Sequence, residues 1–85
     1  MNNCVMPTAF VLINTELGRE GDVLRELRSM SNIKEAHFVY GPHDIIARIE
    51  AENIPKLKEI VFSRIRRLTD VTGAFLHLDR CQGDL

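Results

Sequence analysis

The chain has 85 residues, of which 45% are hydrophobic and 27% charged, and its formal net charge is −1. This length predicts a single domain over residues 1–85, and the apolar pattern places an ordered core at about residues 8–79. A nearly neutral chain does not favour nucleic-acid binding, which usually needs a net basic domain. No apolar run approaches the ~20 residues of a membrane span, and the N-terminus lacks a signal-peptide pattern.

The cysteines predict the compartment. Cys4 and Cys81 lie near opposite ends of the chain, and two such distant cysteines form neither a disulfide framework nor a metal-ligand set. We therefore expect a cytoplasmic protein with reduced thiols. The alternative is a bridge between Cys4 and Cys81, or one between subunits. The sequence predicts neither a cofactor nor a metal site.

The first half of the chain predicts a strand, a helix and a second strand. Residues 8–14 form a nearly continuous apolar run, which is typical of a strand buried on both faces. After a loop with two glycines, apolar residues recur at helical spacing over residues 23–30, and Ser-Asn at 31–32 is expected to end this helix. Residues 33–40 alternate loosely and predict the second strand.

The second half of the chain predicts a strand, a helix and a last strand. Gly-Pro-His-Asp at residues 41–44 is a turn signal, and the clean alternation of residues 44–51 follows it. Asn53 is expected to cap a helix whose apolar stripe runs over residues 54–68. Residues 71–78 close the pattern as a fourth strand.

This order predicts an α+β fold of the ferredoxin-like βαββαβ type. Its four-stranded antiparallel sheet would have strand order 4-1-3-2 and both helices on one face. In the first strand, Phe10 and Leu12 point to one sheet face. The alternate residues, Ala9, Val11 and Ile13, point to the other face. Because both faces are apolar and helices cover only one, we expect a second copy to cover the other, as in a dimeric α/β barrel.

The turn at residues 41–44 is the candidate binding site. Gly41 can adopt a positive φ or let a ligand approach the backbone closely. The Asp44 carboxylate could accept a hydrogen bond from an ammonium group, and the N–H groups of the turn could meet a carboxylate. These features match an amino-acid zwitterion. The alternative is a hairpin loop in which Asp44 caps its own backbone.

Other chemistry-bearing residues favour structural roles. His37 and His77 lie in predicted strands without metal-ligand spacing, so they are interpreted as packed or interface histidines. Three arginines near the end of the second helix, at positions 64, 66 and 67, complement the helix dipole. No Ser or Cys motif supports a nucleophilic triad.

Residues 8–51 and 57–71 resemble the ligand-binding domain of Lrp/AsnC regulators, which is called RAM (regulation of amino-acid metabolism). The most specific similarities are Val-Tyr-Gly-Pro-His-Asp at residues 39–44 and Ile-Arg-Arg-Leu at residues 65–68. The resemblance implies a homodimer, often assembled further into a tetramer of dimers. It also implies a small effector, usually an amino acid, bound between dimers.

The resemblance assigns ligand-binding positions on the turn and on the last strand. The family often has Tyr where this chain has His43, which implies an altered ligand preference. The family's last strand carries two hydroxyl residues, and both are absent here because Ala74 and Leu76 stand at those positions. This departure implies a more apolar ligand, or a domain kept for assembly alone. The implied ligand-binding residues are Tyr40, Gly41, His43, Asp44, Ala74 and Leu76.

Full-length regulators of this family have a helix-turn-helix domain before the ligand-binding domain, whereas this chain has seven residues before its first predicted strand. It therefore resembles stand-alone versions of the domain, which sense metabolites or modulate full-length regulators. We expect a non-enzymatic sensor that does not contact DNA. One alternative is a cofactor-free dimeric α/β-barrel enzyme, which shares the fold. Another is a pure interaction module that co-assembles with a full-length regulator.

Overall fold

The computed structural model of the chain describes residues 5–82. The strands, in chain order, are β1 (Val5–Thr15), β2 (Ile33–Phe38), β3 (Ile45–Glu50) and β4 (Val71–Gln82). The helices are α1 (Glu20–Arg28) and α2 (Ile54–Ile60), and a π-helical segment (Val61–Ile65) follows α2 directly. The strands pair antiparallel in the order β2-β3-β1-β4. The structure thus confirms the ferredoxin-like α+β fold and the predicted strand order.

The core lies between the two helices and one face of the sheet. The alternate β1 residues Ala9, Val11 and Ile13 are all 0% exposed, and Val11 is paired with Ala47 of β3. No polar or charged side chain is buried within residues 5–82. The helices and the π-helical segment complete this aliphatic core with Val23, Leu24, Leu27, Leu57, Ile60, Val61 and Ile65.

Helix α1 ends two residues earlier than its apolar spacing predicts. The Ser29 hydroxyl donates to the Glu26 carbonyl at 2.6 Å, so this carbonyl already has a side-chain partner. The Met30 N–H donates to the Leu27 carbonyl at 3.0 Å, a spacing of three residues instead of four. A serine at the end of a helix often competes for backbone groups in this way. Met30 still packs against the core, from a tightened turn beyond the helix.

Asn53 caps α2 as predicted, because its side-chain oxygen accepts a hydrogen bond from the Lys56 N–H at 2.8 Å. Replacing Asn53 by Ala is expected to lower the free energy of unfolding by about 1 kcal/mol, because this N–H loses its partner. Replacement by Ser, which can cap equally well, is the control and should change stability much less. Urea denaturation measures both variants. Equal losses of stability in Asn53→Ala and Asn53→Ser would contradict the capping role.

The predicted single helix over residues 54–68 changes its winding after Ile60. The Arg66 N–H donates to the Val61 carbonyl, five residues earlier, at 2.9 Å. The first and last residues of this π-helical segment, Val61 and Ile65, are both 0% exposed. The wider turn therefore keeps the predicted apolar stripe against the core.

The sheet face without helices remains uncovered in the single chain, and we call it the open face. Leu12 lies at its centre, paired with Ile46 of β3 and Phe75 of β4. Phe10 is 36% exposed and Phe75 49% exposed. The structure confirms that both faces of β1 are apolar. That a second copy covers the open face stays a prediction.

Strand β4 is longer than the sequence predicts. It continues to Gln82 because its pairing with β1 extends as far as Val5.

Cys81 is disulfide-bonded, so the prediction of reduced thiols is wrong for this residue. Cys4 lies outside the described residues. Over residues 5–82, no helix has the length and apolar character needed to cross a membrane.

Candidate functional site

The turn between β2 and β3 is fastened to the end of β1 by main-chain hydrogen bonds. The Asp44 N–H donates to the Ile13 carbonyl, and the Val39 N–H donates to the Asp44 carbonyl, both at 3.0 Å. Gly41 has a φ of 126°, a conformation that side-chain-bearing residues rarely adopt. A Cβ at Gly41 would meet no atom within 4 Å, so backbone conformation and not crowding requires glycine here.

The Asp44 carboxylate has two oxygens in different situations. Its Oδ2 accepts hydrogen bonds from the Thr15 N–H at 2.8 Å and from the Thr15 hydroxyl at 3.4 Å. Asp44 thus caps the backbone at the end of β1, 29 residues away, and not its own turn. Its Oδ1 accepts no hydrogen bond from the described part of the chain. One carboxylate oxygen is therefore available to a ligand.

A cleft of about 260 Å³ lies beside the turn. Asp44 forms part of its wall, and the exposed rings of Phe38 and Tyr40 form another part. Glu20 reaches the same cleft from the first turn of α1. Nothing local in the sequence links Glu20 to a turn 20 residues later. The complete lining is Glu20, Phe38, Val39, Tyr40 and Asp44.

His43 belongs to the open face and does not line this cleft. Its Nδ1 lies 2.9 Å from the Asn14 side-chain oxygen, and its ring lies 5.5 Å from the Phe75 ring, centroid to centroid. The turn therefore separates two of the predicted ligand residues. Tyr40 borders the cleft, while His43 packs beside the apolar centre of the open face.

Ala74 and Leu76 point to the side of the sheet that the helices cover. Ala74 is paired with Ile13 and Leu76 with Val11, and both partners belong to the core. Ala74 is buried, and Leu76 is partly buried against the core. Within one chain, the structure does not bring these two residues together with the cleft at the turn.

The charged groups of the open face form a small network beside its apolar centre. Arg48 Nη2 donates to Glu35 Oε2 at 3.1 Å, and His37 Nε2 lies 3.4 Å from Glu35 Oε1. The hydrogen bond from Arg48, and then that from His37, lowers the pKa of the Glu35 carboxyl below its ordinary value. His77 is paired with Phe10 on the same face. Over residues 5–82, no group of three or more His, Cys, Asp or Glu side chains could hold a metal ion.

The structure is a small ferredoxin-like domain whose cleft lies at a hairpin, outside an aliphatic core. The family model described as "Lrp/AsnC ligand binding domain" matches residues 8–78. The chain therefore belongs to the Lrp/AsnC ligand-binding domain family, which supplies the effector-binding domains of transcription regulators.

Solved structures agree with this assignment. The chain is 31% identical to FFRP-DM1 with a TM-score of 0.84, and the match covers 87% of this chain and 99% of the other. Against Escherichia coli AsnC the identity is 16%, the TM-score 0.82 and the coverage 88% and 51%. The Neisseria meningitidis regulator NMB0573, solved as an L-Met complex, is 10% identical with a TM-score of 0.76 and coverage of 89% and 51%. The last two matches show the fold alone, and this chain spans about half of each. No curated protein sequence matches the chain.

Proposed function

We propose that this chain is an Lrp/AsnC-type effector-binding and oligomerisation domain that senses an amino acid in the cytoplasm. It modulates transcription regulation without binding DNA itself. The observation that carries the proposal is the cleft at the turn, where Asp44 presents an unoccupied oxygen. A regulator of the same fold was solved as a complex with L-Met, which supports an amino acid as the effector. The net charge of −1 supports the absence of DNA contact.

The atoms around the turn complement both ends of an amino acid. Asp44 Oδ1 accepts a charge-assisted hydrogen bond from the α-ammonium group. In the described chain, the N–H groups of Tyr40, Gly41 and His43 donate to no backbone carbonyl, so they are available to the α-carboxylate. The cleft volume of about 260 Å³ lies below the ~300 Å³ at which sites for drug-sized ligands begin. It therefore suits a small metabolite.

Self-association completes the proposed sensor. A second copy covers the open face and forms a homodimer. This packing buries the apolar surface around Leu12 of both copies away from water. Dimers assemble further, for example into a tetramer of dimers, with the effector between them. The effector shifts the balance between assemblies because it binds one of them more tightly. A full-length Lrp/AsnC regulator is a further proposed partner.

The two alternative functions are less well supported. Related-fold enzymes need polar catalytic groups between sheet and helices, whereas the lining there is aliphatic and no polar side chain is buried within residues 5–82. This arrangement favours a non-enzymatic role. A pure interaction module is favoured by one observation, the position of Ala74 and Leu76 against the core, without hydroxyls toward any ligand.

The test is thermal unfolding and light scattering with each of the common amino acids. An effector at 100 times its Kd should stabilise the wild-type protein by roughly 2.7 kcal/mol. Replacing Asp44 by Asn keeps an oxygen for the Thr15 N–H but removes the charge. This variant should keep most of its stability and lose the effector-induced shift. Replacing Asp44 by Ala should also destabilise the free protein by about 1–3 kcal/mol, because the Thr15 N–H loses its partner.

Three outcomes separate the hypotheses. If no amino acid changes either measurement, the sensor proposal fails and the interaction module takes its place. If the Asn variant retains the full effector-induced shift, Asp44 is not the ammonium ligand. If Asp44→Asn loses the effector-induced shift but keeps the stability of the free protein, the result supports both the sensor proposal and Asp44 as the ammonium ligand.

A further inference from the structure

The cleft at the turn carries two carboxylates, Glu20 and Asp44, and none of its five lining residues is basic. Glu20 forms no salt bridge or hydrogen bond with any residue that the structure describes. The Asp44 carboxylate accepts hydrogen bonds only from the Thr15 N–H and hydroxyl, which are uncharged donors. The cleft therefore holds two negative charges that the described chain leaves uncompensated.

Of the eleven acidic residues that the structure describes, five form salt bridges, and Glu20 and Asp44 are among the six that form none. Glu35 pairs with Arg48, and Glu59 lies 3.5 Å from the Lys56 ammonium. Asp22, two residues beyond Glu20 in the same helical turn, lies within 3.4 Å of two arginines. Basic side chains are thus common on the surface but do not line the cleft. Two like charges in a small cleft repel each other, so a ligand that brings two positive charges is favoured.

The aromatic lining of the cleft favours the same kind of ligand. The Phe38 ring is 50% exposed and the Tyr40 ring is fully exposed, so both have ring surface available. Ring faces attract ammonium and guanidinium groups, and they also pack against the methylene chain that carries such a group. An apolar ligand would use these rings but would leave the Glu20 carboxylate without a partner.

We propose that the cleft selects an amino acid with a cationic side chain, and that Glu20 determines this specificity. The inference rests on the proposed function and names the class of effector. Asp44 Oδ1 binds the α-ammonium group, and Glu20 binds the positive charge at the end of the side chain. The ligand is therefore basic, in contrast to the more apolar ligand that the missing hydroxyls on β4 imply.

Calorimetric titration with L-lysine and L-norleucine tests the inference, because the two amino acids have the same carbon chain and differ in the terminal amino group. The wild-type protein should bind L-lysine at least about tenfold more tightly, the effect of one charge-assisted hydrogen bond. In Glu20→Gln this ratio should fall to about twofold or less, mainly through weaker lysine binding. Asp22→Asn is the matched control, because it removes the same charge from the same helical turn outside the cleft. Its ratio should stay as in the wild type.

Each result decides one point. If L-norleucine or L-methionine binds as tightly as L-lysine, the inferred specificity is overturned while the amino-acid sensor stands. If Glu20→Gln and Asp22→Asn lower the ratio equally, the effect belongs to the helix terminus and not to Glu20. If neither these ligands nor any other common amino acid binds, the proposed function itself fails.

Discussion

Replacing Phe75 by Lys is expected to convert the proposed dimer into a monomer, whereas the same replacement at Phe62 should leave assembly unchanged. The two rings are equally exposed in the single chain, at 49% and 50%. Phe75 lies on the open face, paired with Leu12. Phe62 lies in the π-helical segment on the other side of the sheet, where its ring contacts the Arg66 guanidinium at 5.3 Å. A buried ammonium group without a partner is costly, so lysine is tolerated only where water remains.

Sedimentation equilibrium at several protein concentrations measures the outcome. The wild type and Phe62→Lys should have at least twice the monomer mass of 9.7 kDa, and Phe75→Lys should have the monomer mass. Because so short a chain buries little surface alone, loss of the dimer should also lower the Tm. A monomeric wild type, or a dimeric Phe75→Lys variant, would show that the open face is not the interface between copies.

Replacing Leu27 by Ala is expected to lower the free energy of unfolding by about 2–5 kcal/mol, because it leaves a cavity under α1. Leu27 is 0% exposed, whereas Leu17 in the preceding loop is 98% exposed. The same replacement at Leu17 should change stability by no more than about 0.5 kcal/mol. The total stability of such a domain is about 5–15 kcal/mol, so the loss at Leu27 is a large fraction of it.

Urea denaturation of both leucine variants, at one fixed protein concentration, gives their free energies of unfolding, and thermal denaturation gives their Tm. The Tm of Leu27→Ala should fall by at least about 8 °C, given a shift of about 4–8 °C for each kcal/mol in a domain of this size. Similar losses at the two positions would contradict the packing of α1 against the sheet. If Leu27→Ala has the stability of the wild type, neighbouring side chains close the cavity.

The fold was predictable because burial leaves a local period in the sequence. The nearly continuous apolar run around Val11 predicted a strand with two apolar faces, and the order of the six elements then predicted a topology with β1 and β3 central. Two details of the helices were not predictable from the period. The Ser29 hydroxyl donates to the Glu26 carbonyl where α1 ends, and the Arg66 N–H donates to the Val61 carbonyl in a π-helical turn.

The candidate site was predictable only in part. The glycine and acid of the turn marked its place, since a positive φ at Gly41 and a carboxylate at the rim are local properties of a few adjacent residues. The direction of the neighbouring side chains was not local. His43 turns toward the open face because Asn14 and Phe75 are there to receive it. Ala74 points into the core because of its register with β1.

The sequence by itself therefore determined the order of elements, the two-sided character of β1 and the position of the turn. Only the tertiary structure decided which atoms of the turn remain available. Asp44 uses one oxygen to bind Thr15, and Glu20 joins Asp44 in the cleft from a separate helix. Both relations depend on how β1, α1 and the turn pack together, and no period along the chain records contacts between residues more than 20 positions apart. For this reason the place of the candidate site follows from the sequence, while the charge of its cleft follows from the fold.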